Sequence, residues 1–214
     1  MKIQSCNTTS FGAIHTANAE AITRKHVTNF GLYKLTPSDR EFMAHLRDNI
    51  KLGELMPKLP QSKLEVWEEL FKIATDQAIS PNKTGYMLTT EGKPCGLIAF
   101  SPSHLDIICT WPVEQGKKVP YAGTVLMKTM FEDFLKGNRN LLDLEAVTNG
   151  PSSNVAKFTR LGFVQRGGEN YITAMRITRG KIENILRELN EKIFTTRLRE
   201  PKNVDLFYLE QRTV

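Results

Sequence analysis

A strand–helix–strand unit near the middle of this chain constrains its fold more than any other feature. In residues 104–113, "HLDIICTWPV", Leu105, Ile107, Cys109 and Trp111 alternate with His104, Asp106, Ile108 and Thr110, the period of a strand. A basic, glycine-bearing loop follows. It runs into a helix that is apolar over a broad arc, with Val125, Leu126, Met130, Phe131 and Phe134. Residues 140–147, "NLLDLEAV", read as strand again. A helix apolar over so wide an arc needs a sheet beneath it.

The flanking segments supply the rest of that sheet. Residues 30–35 read as a strand, and residues 36–50 as a helix with Phe42, Leu46 and Ile50 on one stripe. Pro57 and Pro60 interrupt the chain. A second amphipathic helix follows over residues 62–78. Residues 85–100 read as a hairpin turning at Glu-Gly-Lys, and residues 163–177 as a closing hairpin. Between residues 147 and 163 lies a short helix that ends at Gly162. Residues 181–194 carry Ile182, Ile185, Leu186, Leu189 and Ile193 on one stripe, a further amphipathic helix, and a last strand is expected near residues 204–211. Hairpins together with one strand–helix–strand unit predict a mixed α/β fold. Its central sheet is mostly antiparallel, with helices on both faces and an amphipathic helix appended at the C-terminal side. The expected division is a loosely ordered tail over residues 1–27, one domain over 28–178, and an extension over 179–214.

Charge and cysteine content narrow the function. The formal net charge is +6 in 214 residues, a mild excess that favours anionic ligands but is weak for a dedicated nucleic-acid binder. Cys6, Cys95 and Cys109 form no Cys-x-x-Cys, and the last two lie in apolar runs, which fits a reducing, cytoplasmic setting. No apolar run reaches the ~18 residues of a membrane span. His15, His26, His45 and His104 are scattered, so no metal site is expected. No Gly-x-Ser-x-Gly is present, which argues against a serine hydrolase.

The loop before the central helix is the strongest chemical signal. A helix N-terminus carries unpaired backbone N–H groups and partial positive charge, so it attracts anions. Pro120 suits a first turn, Gly123 lets a ligand approach the backbone, and Lys117 and Lys118 add charge. No Gly-Lys-Ser/Thr follows, so this is not a triphosphatase loop. Pro112 removes a ladder donor and predicts a bulge that frees main-chain groups at Trp111 and Val113. A ligand with a pyrophosphate and an amide-bearing arm fits such a site, and coenzyme A has that shape.

On these residues the chain resembles the GNAT superfamily of N-acetyltransferases. Val113 stands at the end of the family's fourth strand. Lys118, Tyr121 and Gly123 fall at the Arg/Gln, first Gly and second Gly/Ala positions of its coenzyme loop. Residues 141–163, ending Leu161-Gly162-Phe163, are similar to the family's fifth strand and short helix. The resemblance covers about residues 30–178. It implies transfer of an acetyl group from acetyl-CoA to an amine acceptor, either a small molecule or a protein amine. Lys118, Tyr121, Ala122, Gly123 and Thr124 would hold the pyrophosphate. Trp111 and Val113 would pair with the coenzyme arm, and Asn149, Asn154 and Phe158 would line it. Many family members have a tyrosine where Phe158 stands, and a phenyl ring has no proton to give. Either Asp106 or Glu145 is expected to be the general base, with His104 beside Asp106 and Glu114 a weaker candidate.

Two other readings stay open. Phe158 and Tyr121 suit a non-catalytic module that binds an acyl-CoA. Residues 176–202 hold eight Lys/Arg against four Glu, which suits a protein that binds RNA or an acidic partner through its C-terminal helix. That helix and a last strand also leave room for a homodimer.

Overall fold

The computed structural model describes residues 12–23, 26–147, 154–169 and 171–205. Among the described residues nine strands form one sheet: β1 (Gly12–Ile22), β2 (Val27–Leu35), β3 (Thr84–Thr90), β4 (Lys93–Ser101), β5 (His104–Thr110), β6 (Leu141–Val147), β7 (Val164–Glu169), β8 (Ile172–Thr178) and β9 (Ile193–Asp205). Their order is β7-β8-β6-β5-β4-β3-β2-β1-β9. Every pairing is antiparallel except that of β5 with β6. That exception is the crossover through α4 (Ala122–Lys136), the strand–helix–strand unit read from the sequence.

The helices divide between the two faces. On one, α1 (Arg40–Asn49), α2 (Leu52–Leu55) and α3 (Gln61–Ala78) bury Phe42, Met43, Leu46, Leu52 and Phe71 against Met87, Leu97 and Cys109. On the other, α4 and α6 (Arg179–Asn190) bury Leu126, Met130, Phe131 and Ile182 against Leu88, Ile98, Leu144 and Ile177. The short α5 (Val155–Arg160) stands beside the start of α4.

Both ends of the chain depart from the sequence reading. Where a loosely ordered tail was expected, residues 12–22 are a strand. Ala13 is buried on the α1–α3 side; Ala17, Ala19 and Ala21 are buried on the other. A bulge between His15 and Ala17 makes that switch. At the far end the helix stops at Asn190, short of Phe194, and β9 pairs with β1. Pro201 stands inside β9. It lies where the register skips from Arg197 to Lys202 on an edge strand, so its missing N–H breaks no ladder bond. The strand expected near 204–211 falls outside the described residues beyond Asp205.

Candidate coenzyme cleft and catalytic apex

β5 and β6 pair only at His104 with Asp143 and Leu105 with Leu144. Beyond these pairs each strand runs on without the other, and the sheet splits. Ile108, Cys109 and Thr110 then edge a cleft of about 660 Å³. Its other walls are Tyr121–Thr124 at the start of α4, and Asn154 and Phe158 on α5. Trp67 and Leu70 of α3 close one side.

The start of α4 faces this cleft with its first-turn N–H groups unsatisfied by any side-chain cap. Tyr121 is the N-cap and holds a left-handed backbone, φ 65°. That conformation costs a non-glycine residue about 1–2 kcal/mol, so Tyr121 holds a backbone shape that glycine adopts more readily. Gly123 has space in front of it: an added Cβ would meet only Thr110 Cγ2, at 3.9 Å.

The structure separates Lys118 from this group. Lys118 lines an adjoining cleft of about 850 Å³, bounded by Lys58 and Leu59 of the α2–α3 connection, Trp67, Trp111 and Lys117. The two clefts share Trp67, Thr110, Val119 and Lys157. The loop is docked there: Gly116, at φ 68°, donates its N–H to the Leu55 carbonyl at 2.8 Å. Lys117 Nζ sits 2.5 Å from Glu114 Oε2, and this hydrogen bond holds the Glu114 carboxyl below its usual range. That makes Glu114 a poor proton acceptor.

The main-chain expectation at Pro112 needs correction. Trp111 donates its N–H to the Cys95 carbonyl at 3.0 Å, so that group is not free for a ligand. The irregularity in β5 lies five residues earlier than Trp111. Ala99 pairs with Ile107 and Phe100 with Leu105, leaving Asp106 as the extra residue. The Trp111 ring is buried, edge-on to Phe71 at 4.9 Å, and its Nε1 has no hydrogen-bond partner among the described residues. Val113 is half-buried against the α4-side core.

The bulge shapes the acid–base candidates. It ends the simple alternation, placing Leu105 in the α4-side core and Ile107 against the α1–α3 side. Asp106 Oδ1 receives Lys83 Nζ at 2.6 Å and lies 3.7 Å from His104 Nδ1; Oδ2 is buried without a partner. Lys83 also bonds the Gln77 side chain. Across the apex, Asp143 takes two bonds from Arg176, Nε to Oδ1 at 2.5 Å and Nη2 to Oδ2 at 2.9 Å. These hold the Asp143 carboxyl below its usual range. Two ion pairs, Lys83–Asp106 and Arg176–Asp143, with His104 beside Asp106, therefore lie across the closed end of the split. Glu145 is exposed on the same face as Asp143, opposite Leu142 and Leu144. His104, Asp106 and Glu145 gather near this apex and line neither cleft.

Phe158 is buried, edge-on to Phe163 at 5.8 Å, and forms the wall between cleft and core. Asn149 lies outside the described residues. Sequence reading missed Lys83, whose role depends on a contact 23 residues away, and Trp67, which looked like one core position of a helix. Among the described residues no cluster of His, Cys, Asp and Glu could hold a metal, and no helix is long and apolar enough to cross a membrane.

The sequence matches no protein-family model and no curated protein. Solved structures do match. Apo FdhC, a nucleotide-linked sugar GNAT, aligns over 76% of this chain and 94% of its own, at 13% identity and TM-score 0.50. The chain has the GNAT fold. An uncharacterized protein from Bacillus halodurans aligns over 80% of this chain and 95% of its own, at 13% identity and TM-score 0.51. A spermidine N-acetyltransferase from Vibrio cholerae, solved with CoA and spermine, aligns over 72% of this chain and 98% of its own, at 20% identity and TM-score 0.44. The mixed, mostly antiparallel sheet expected from the sequence is this GNAT sheet, and its one parallel junction is where the cleft opens.

Proposed function

We propose that this chain binds acetyl-CoA in the split between β5 and β6 and transfers the acetyl group to a primary amine. One observation carries the reading: the split meets the uncapped start of α4, so a ligand with an extended arm and a pyrophosphate would find strand edge and anion site in one cleft. The N–H groups of Ala122, Gly123 and Thr124 suit the pyrophosphate, with Tyr121 shaping the turn. Ile108–Thr110, rather than Trp111, suits the arm, and Asn154 and Phe158 flank it; Val113 is among the lining residues of neither cleft. Lys118 lines the neighbouring cleft and not this one.

In this reaction the acceptor nitrogen attacks the thioester carbonyl carbon, the C–N bond forms and the C–S bond breaks. The ammonium first gives one proton to a base at the apex; once the C–N bond has formed, the nitrogen gives up a second proton, which passes through water to the leaving thiolate, since Phe158 has none to give. Glu145 is exposed with no partner among the described residues, whereas Asp106 is already tied to Lys83, so Glu145 is the freer of the two to take a proton. His104 can pass a proton between Asp106 and solvent. Release of free thiol from acetyl-CoA in the presence of amines tests this. Glu145→Gln is expected to lower kcat at least tenfold with the coenzyme Kd unchanged, and an unaltered kcat would remove Glu145 from the mechanism.

Phe158 favours a second reading, a coenzyme-binding module without catalysis. Binding of acetyl-CoA with no thiol release across a broad amine panel would select it. The RNA reading loses ground because the basic C-terminal segment is partly used inside the fold. Arg179 bonds the carbonyls of Leu135 and Gly137, at 2.7 and 2.8 Å, Arg176 holds Asp143, and Arg197 reaches Glu132 at 3.4 Å.

A further inference from the structure

The second cleft, of about 850 Å³, is not needed for a pyrophosphate at the start of α4. It opens on the α1–α3 side and shares Thr110 and Trp67 with the first, so anything seated in it adjoins the proposed thioester position. Its lining carries Lys58, Lys117, Lys118 and Lys157, and none of the described lining residues is acidic. Lys117 is offset by Glu114, but Lys58, Lys118 and Lys157 have no carboxylate partner among the described residues. The lysines come from three separate elements: the α2–α3 connection, the loop before α4, and α5. The Gly116–Leu55 bond fixes the first two against each other. Trp111 lies in the wall of this cleft, but its ring is 3% exposed and its indole N–H is buried, without an acceptor among the described residues, so the lysines are the polar groups a ligand meets there. An anionic group on a ligand answers the unpaired cations. A polycation gains nothing from them and is repelled.

Resting on the acetyl-transfer reading above, we infer that the acceptor is a primary amine that also carries an anionic group, a carboxylate or a phosphate, and not a polyamine. The amine reaches into the split while the anion sits among Lys58, Lys118 and Lys157. The ring of Trp67, at the junction of the clefts, is placed to contact the body of the molecule between them.

The test measures thiol release at saturating acetyl-CoA with three probes: 4-aminobutyrate, glucosamine 6-phosphate and spermidine. At least one anionic amine is expected to exceed spermidine in kcat/KM by tenfold or more, and the better of the two anionic probes identifies the anion. Lys58→Glu, an exposed loop change that leaves the fold intact, is expected to raise the KM of that probe about tenfold while the acetyl-CoA Kd by calorimetry stays the same. Preference for spermidine overturns the inference. So does a Lys58→Glu variant that loses acetyl-CoA affinity but keeps its acceptor KM, because the lysines would then serve the coenzyme. If acetyl-CoA binds but no probe is acetylated, titration of each amine into the CoA complex decides: binding of spermidine alone, or of none, overturns the inference. Absence of acetyl-CoA binding is a separate outcome that removes the acetyl-transfer reading, and this inference with it.

Discussion

The sheet has two wings that meet at the β5–β6 junction, and they are built differently. In β3 and β4 every residue but the outermost is buried, because helices cover both faces. In β6 and β8 buried and exposed residues alternate, because only the α4–α6 side is covered. The doubly covered wing carries core on both faces up to the split. The singly covered wing presents Asp143, Glu145 and Arg176 on an open face beside it. The cleft lies at the junction of the two, edged by β5 from the first wing and by the start of α4.

Mutations can break this contrast. Leu97→Ala in β4, at a fully buried site, is expected to cost about 2–5 kcal/mol in denaturant unfolding. Ile172→Thr on the open face of β8, where Ile172 is 47% exposed, is expected to cost less than about 1 kcal/mol. Equal losses at the two sites would show that something covers the open face.

Thiol chemistry sharpens the contrast. Burial pushes the Cys95 and Cys109 thiols up to about 12, so neither forms thiolate near neutral pH. With Cys6 replaced by Ser, the native protein is expected to show no fast reaction with a thiol reagent, and two thiols on unfolding. A fast native reaction would mean that the covered wing opens readily.

The smallest effect is a pH dependence in the open wing. Arg176 lowers the Asp143 carboxyl from its ordinary 3.8, so their pairing stabilises the fold above that value. The stabilisation is lost as pH falls through the lower folded value. The stability difference between wild type and Arg176→Met should therefore be constant near neutral pH and shrink below about pH 4. A difference that persists unchanged into acid would assign the role of Arg176 to packing.

The same contrast explains what the sequence revealed. Strong hydrophobic runs made β3, β4, β5 and β6 legible, and helical spacing made α1, α3 and α4 legible. β1 escaped because its buried residues are alanines and a one-residue bulge moves them from one face to the other partway along. β9 escaped because Pro201 reads as a breaker in a central strand but is tolerated at an edge. At the site, the loop into α4 was readable from Pro120, Gly123 and the helix that follows. The main-chain donor assigned to Trp111 was not, because its pairing with Cys95 depends on the register of the neighbouring strand. The bulge at Asp106 and the reach of Lys83 are tertiary facts with no local signal.

The account rests on the split and the start of α4 forming one ligand site. Calorimetric titration with acetyl-CoA, on wild type and Gly123→Trp, tests that most directly. The backbone at Gly123 has room for a side chain, so the variant should fold while its indole occupies the cleft. The account predicts micromolar binding by wild type and none by the variant. Failure of wild type to bind acetyl-CoA or CoA, or equal binding by the folded variant, would contradict it.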